Sequence, residues 1–223
     1  LGLLKFLNEY NLKNNINTFI GTSCGSIFSI LIILNLSHTD IITIFTNIDL
    51  ENLLEYNIMK YLENYGICDT NKIINILSVI IKNKLNIENP YKLTFKEFYE
   101  INKKKLKIVC SNITDKKEEL FSVDNVPNMN ILEAVKLSIN IPFFFNKIKY
   151  NDKYYVDGGI YNFYPINYTD NIENTIGICL MSENNNNNNN NFTSYFIDII
   201  NIIFNKDINN ISTEQKKNTI FIN

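Results

Sequence analysis

The first ten residues, LGLLKFLNEY, place Leu3, Leu4 and Leu7 on one face and Lys5 and Asn8 on the other, which predicts an amphipathic helix. Residues 11–17 are polar and read as a connection into a short strand at 18–22. A sharp turn at Ser23 then leads into an apolar helix from Cys24 to about Leu36, with His38 at its C-terminal end. The unbroken apolar run there, residues 30–34, is far shorter than the ~20 residues a bilayer requires, so the pattern predicts a core helix and no membrane span.

Helical spacing continues over 41–47, capped by Asp40, over 49–65, closed by Gly66, and over 70–85, capped by Asp69. Thr94 caps a short helix, FKEFYEIN. Residues 105–111, KLKIVCS, read as a strand covered on both faces, and 118–123 as another strand. Asn130 caps the helix ILEAVKLSI, which must end near Asn140 because Pro142 disfavours helix at Ile141. Phe143, Phe144 and Phe145 read as core filling. Residues 148–156 form two short strands about Asn151 and Asp152, and 175–181 a further buried strand. The eight asparagines at 184–191 read as a solvated loop insertion, and 192–204 as a last amphipathic helix that docks on the sheet or on a membrane. Strands alternating with helices predict an α/β protein, and without a linker or repeat residues 1–223 read as a single domain.

Composition narrows the chemistry. A net charge of −2 gives no electrostatic case for nucleic acid. All 21 basic residues are lysine, so bidentate arginine clamping of phosphate or carboxylate is excluded. The four cysteines, Cys24, Cys68, Cys110 and Cys179, lack paired spacing and read as free buried thiols, so a zinc site is not expected.

The serine turn carries the chemistry. Gly21, Ser23 and Gly25 form G-x-S-x-G between strand and helix, the arrangement that raises a serine hydroxyl at the top of a sheet. Chance would produce this pattern about 0.01 times in a chain of this composition. Glycine is expected at both flanks because a Cβ there would collide with neighbouring backbone. The helix start directs free N–H groups towards a developing oxyanion, with the Cys24 N–H as the nameable donor. A serine needs a base. His38, the one histidine, falls some ~22 Å along a continuous helix from Ser23, too far to serve. Asp157, followed by Gly158 and Gly159 at a strand end, is the carboxylate candidate; its rival reading is a hairpin-turn Asp-Gly.

Together, G-T-S-C-G at 21–25 and D-G-G at 157–159 resemble the patatin-like phospholipases. The first helix, Thr94 to Tyr99 with the strand that follows, the segment from Ala134 to Phe145 with Ser138, Ile141 and Pro142, and Asn162 with Pro165 extend the likeness over about residues 1–182. The resemblance implies a three-layer α/β/α fold with a mostly parallel central sheet. It also implies a Ser23–Asp157 dyad that hydrolyses acyl esters of lipids at a membrane surface, without metal or cofactor, in a cytoplasmic or membrane-peripheral protein. It names no protein partner. Family members carry a glycine-rich oxyanion loop before the first helix. Leu1 already lies in that helix, so the chain is expected to be incomplete at its N-terminus, and possibly at its C-terminus. The alternative is an inert lipid-binding module without that loop.

Overall fold

In chain order the elements are α1 (Gly2–Glu9), β1 (Thr18–Thr22), α2 (Cys24–Ile33), α3 (His38–Thr46), β2 (Gly66–Cys68), α4 (Asn71–Leu85), α5 (Phe95–Asn102), β3 (Lys105–Asn112), β4 (Lys117–Ser122), α6 (Ile131–Ser138), β5 (Phe143–Phe145), β6 (Ile148–Tyr150), β7 (Lys153–Val156), the one-turn α7 (Gly159–Asn162), β8 (Gly177–Leu180), α8 (Thr213–Lys217) and β9 (Thr219–Ile222). This computed structural model describes residues 2–47, 65–181, 198–199, 201–203 and 211–222. The expected helix at 49–65 and the asparagine run at 184–191 lie outside the described residues, apart from Tyr65. Of the expected helix at 192–204, residues 198–199 and 201–203 are described, and they are helical.

Strand β3 is the axis of the molecule. It pairs in parallel with β1 and antiparallel with β4 and β7, and β6 extends the sheet beyond β7. Two further parallel pairs, β2 with β5 and β8 with β9, complete a mixed α/β fold. From Leu106 to Asn112 every residue of β3 is buried, which requires cover on both faces. Alternation puts Leu106, Ile108 and Cys110 on one face. They join a core with Ile30 and Ile33 of α2, Ile74 and Leu77 of α4, Phe95 and Phe98 of α5, and Leu132 and Val135 of α6. Each such side chain, fully buried, contributes about 1.5–3 kcal/mol. On the other face Lys107 extends its Nζ to Tyr168 O at 3.0 Å and to Asp170 at 2.9 Å, fixing the chain after α7 over the sheet. The expected α/β layers are therefore present.

Local chemistry explains most boundaries. Asn130 Oδ1 accepts from the N–H groups of Leu132 and Glu133 and starts α6, as expected. Thr94 and Glu97 form a capping box for α5. Asn151 and Asp152 take φ of 46° and 63°, the left-handed pair a two-residue hairpin demands.

Four expectations need correction. Helix α2 stops at Ile33, not Leu36: Asn35 turns to φ 64°, and Ser37 accepts the Asp40 N–H while the Asp40 carboxylate accepts the Ser37 N–H. That capping box makes His38 the first residue of α3 rather than the end of a continuous helix. Gly66 opens β2, where a Cβ would stand 2.2 Å from the Phe145 carbonyl carbon, while the helix it was expected to close lies outside the described residues. Of the three phenylalanines, Phe145 is buried but Phe143 is 57% exposed: β5 is three residues long and, among the described residues, pairs with β2 alone. Finally, β8 alternates between buried and exposed positions, leaving Ile178 and Leu180 open; among the described residues its one partner strand is β9.

Candidate active site

Ser23 and Asp157 meet because β1 and β7 lie end to end along one edge of β3 and approach each other from opposite directions, while β4 occupies the other edge. In the parallel ladder Thr22 stands opposite Val109, so the next residue, Ser23, reaches the level of Cys110. In the antiparallel ladder Val156 stands opposite Ser111, and one step further Asp157 reaches that same level. The Ser23 hydroxyl donates to Asp157 Oδ2 at 2.5 Å. The second carboxylate oxygen, Oδ1, accepts the Gly159 N–H at 2.8 Å, and the Asp157 N–H donates to Asn140 O at 2.8 Å. Asp157 is therefore not a hairpin-turn residue; the hairpin lies five residues earlier, at Asn151–Asp152.

Electrostatics favours proton uptake by this carboxylate. Asp157 is fully buried, and loss of water raises its pKa from 3.8 to about 6, against the lowering effect of the hydrogen bonds from Ser23 and Gly159. At pH 7 a group with pKa near 6 is still about nine-tenths ionised, yet far more basic than an exposed aspartate. An O–H in contact with such a carboxylate can lose its proton as the oxygen attacks an electrophile.

The turn itself is strained. Ser23 adopts φ 53° and ψ −127°, a region that residues with a side chain rarely occupy. Its N–H donates to the Ser138 hydroxyl at 3.0 Å, and its carbonyl accepts from Ser26 N–H at 2.9 Å and Ser26 Oγ at 2.6 Å. Gly21 is required here, because a Cβ would lie 2.4 Å from the Gly25 carbonyl carbon and oxygen. Gly25 is not: its Cβ would meet no atom within 4 Å outside its own helix. The expectation of crowding at both flanks thus holds on the strand side alone, since the second flank lies on the first turn of α2, where the Cβ points into open space.

Around Asp157, Gly158 approaches β3 so closely that a Cβ would stand 2.3 Å from Val109 O. The Ser111 hydroxyl donates to Gly158 O at 3.2 Å and accepts the Tyr161 N–H at 3.2 Å. Thr22 Oγ1 donates to Asn162 O at 3.1 Å, tying the end of β1 to the one-turn helix after the glycines. Cys24, exposed at the first residue of α2, carries one of the N–H groups a helix start leaves without an intrahelical acceptor. Among the described residues none of the hydrogen bonds of Ser23 or Asp157 involves His38. Sequence reasoning missed Ser111 and gave Ser138 no role. The available signal was a hydroxyl at buried positions of an otherwise apolar strand and helix.

The chain has relatives among known proteins. A curated relative from Invertebrate iridescent virus 6, described as a probable lipid hydrolase, is 36% identical over 170 residues, covering 74% of this chain and 57% of that protein. An uncharacterised protein of Acanthamoeba polyphaga mimivirus is 31% identical over 189 residues, covering 82% and 61% respectively. The chain thus spans about three-fifths of the length of these relatives. The crystal structure of VipD from Legionella pneumophila superimposes with a TM-score of 0.55 at 19% identity, over 70% of this chain and 42% of that one, and so shares its fold. The sequence profile of the patatin-like phospholipases matches residues 1–170, a span that includes the serine turn, all of the main sheet and Asp157 with its glycines; the chain belongs to that family.

Proposed function

We propose that this protein is a lipid acyl hydrolase in which Ser23 is the nucleophile and Asp157 its general base. The observation that carries this reading is the 2.5 Å hydrogen bond from Ser23 Oγ to a fully buried carboxylate held near pKa 6. Family membership and the name of the viral relative support a lipid ester as the substrate.

Ser23 Oγ attacks the ester carbonyl carbon as its proton passes to Asp157 Oδ2. The protonated Asp157 then gives that proton to the departing alkoxide, the C–O bond breaks, and an acyl group remains on Ser23 Oγ. Water attacks the acyl-enzyme while Asp157 takes its proton, and collapse of the second tetrahedral adduct returns that proton to Ser23 and releases the fatty acid. In this reading the Cys24 N–H, at the start of α2, donates to the oxyanion in both adducts, and each such donor is worth about 10²–10³ in rate.

The test is hydrolysis of a short-chain p-nitrophenyl ester and of phospholipid vesicles by the full-length protein and its Ser23→Ala and Asp157→Asn variants. Loss of at least about 10³-fold in turnover is expected for both. Unchanged turnover in Ser23→Ala would overturn the assignment. Vesicle binding with no hydrolysis by any of the three proteins would favour an inert lipid-binding module.

A further inference from the structure

We propose that Ser138 is a positioning residue for the nucleophile, its buried hydroxyl holding the Ser23 backbone in the turn that keeps Oγ against Asp157. This rests on Ser23 being the nucleophile. A residue at φ 53° and ψ −127° stores about 1–3 kcal/mol of strain and persists only where its surroundings hold it. On the carbonyl side Ser26 does so from within α2, through both its N–H and its hydroxyl. On the N–H side the Ser138 hydroxyl is the acceptor, and it comes from a different element at the far end of α6, 115 residues away.

The direction of that bond is fixed by proton counting. A serine hydroxyl has one proton and two lone pairs. Ser138 spends its proton on Val109 O at 2.6 Å, so a lone pair faces the Ser23 N–H at 3.0 Å. Val109 is the residue of β3 opposite Thr22, immediately before the serine. Ser138 thus links the nucleophile's N–H to the strand that sets its level. Its own carbonyl accepts the Gly158 N–H at 3.1 Å, so one residue braces both halves of the dyad. Ser138 has no exposed surface, so water cannot substitute for the lost hydroxyl in a variant without local rearrangement. Because the carbonyl contact is main chain, Ser138→Ala removes the serine brace and leaves the aspartate brace intact.

The Ser23 hydrogen bond is among the influences that hold Asp157 down. If Oγ drifts away, the carboxylate binds its proton more tightly, and the acid limb of the pH profile moves up. The experiment measures kcat, KM and the acid limb on a p-nitrophenyl ester for wild type, Ser23→Ala, Ser138→Ala, Ser138→Cys and Ser122→Ala. Ser122 is a buried serine whose hydroxyl, among the described residues, bonds within the turn after β4, through Asn125 Oδ1 and the Asp124 N–H, and so reports the cost of losing a buried hydroxyl without dyad contact.

Ser138→Ala should lower kcat about 10–100-fold with KM within about twofold, as a small misplacement of a reacting atom does, and raise the acid limb by about half a unit or more. Ser138→Cys, a poorer acceptor of similar shape, should fall between Ala and wild type. Ser122→Ala should keep the wild-type kcat and limb even where it melts earlier. If the Ala variant does not fold, the Cys variant decides by the same two readouts. Wild-type kcat and limb in the Ser138 variants, or equal losses in Ser122→Ala, overturn the positioning role. Retained activity in Ser23→Ala overturns instead the assignment of the nucleophile.

Discussion

Ser23 and Asp157, 134 residues apart in sequence, stand on the same edge of β3 at the level of Cys110, where β1 ends and β7 arrives from the opposite direction, and their side chains join in a 2.5 Å hydrogen bond. One strand thus sets the height of both reacting groups: its parallel neighbour delivers the hydroxyl and its antiparallel neighbour the carboxylate. Burial then gives the carboxylate its proton affinity.

The first consequence is a displaced acid limb. With Asp157 as base, activity requires its ionised form, and its pKa is near 6 rather than 3.8. The kcat/KM for an uncharged ester should fall about tenfold per unit below pH 6 and be flat above it until another group titrates. A pH profile between 4 and 8 measures this directly. A limb at about pH 4 would mean that Asp157 is solvated during turnover.

The same shift makes Asp157 a cost to the fold. Its folded-state pKa lies above the unfolded value, so between pH 3.8 and about 6 the native state binds more proton than the unfolded state, and stability falls as pH rises. Above pH 6 the full deficit, about 3 kcal/mol, is present. Asp157→Asn removes the charge while keeping an oxygen for the Gly159 N–H. The variant should therefore be inactive yet more stable than wild type at pH 8, by up to about 3 kcal/mol, with the advantage gone at pH 4. Urea denaturation at the two pH values tests this, and a pH-independent difference would refute it.

Backbone strain at Ser23 gives a similar contrast without charge. Ser23→Ala and Ser23→Gly both delete the nucleophile, but only glycine accepts φ 53° and ψ −127° without penalty. The Gly variant should be more stable than the Ala variant by about 1 kcal/mol, despite glycine's greater freedom in the unfolded chain. Thermal melts of the two inactive proteins provide the comparison, and equal stability would show that the turn is not strained.

Much of this site was readable in the sequence because its chemistry and its local geometry use the same residues. A glycine-flanked serine between an apolar strand and an apolar helix specifies β1, the turn and α2 together, and Asp157 follows a hairpin marked by Asn151–Asp152. Elements whose definition depends on distant partners were not readable. Strand β2 has three residues and exists through its pairing with β5. The stop of α2 was missed because Asp40 reads as a cap, whereas it is the third residue of a helix capped by Ser37. Ser138 looks like any helix-interior hydroxyl until Val109 and Ser23 are brought to it.

The two motif glycines of the serine turn, equivalent in the pattern, are not equivalent in space. A Cβ on Gly21 would stand 2.4 Å from three backbone atoms at the start of α2, none of which can yield without moving the turn. Gly21→Ala should cost about 3 kcal/mol or more, or prevent folding. A Cβ on Gly25 would meet nothing within 4 Å, and alanine suits a helix better than glycine by up to about 1 kcal/mol. Gly25→Ala should therefore fold with an unchanged or higher melting temperature, and a clear drop would mean that its surroundings are closed. If Gly25→Ala folds normally but turns over esters more slowly, the lost rate measures how closely the substrate must approach the first turn of α2 beside the Cys24 N–H. That turns a motif position from a folding requirement into a probe of the oxyanion side of the site.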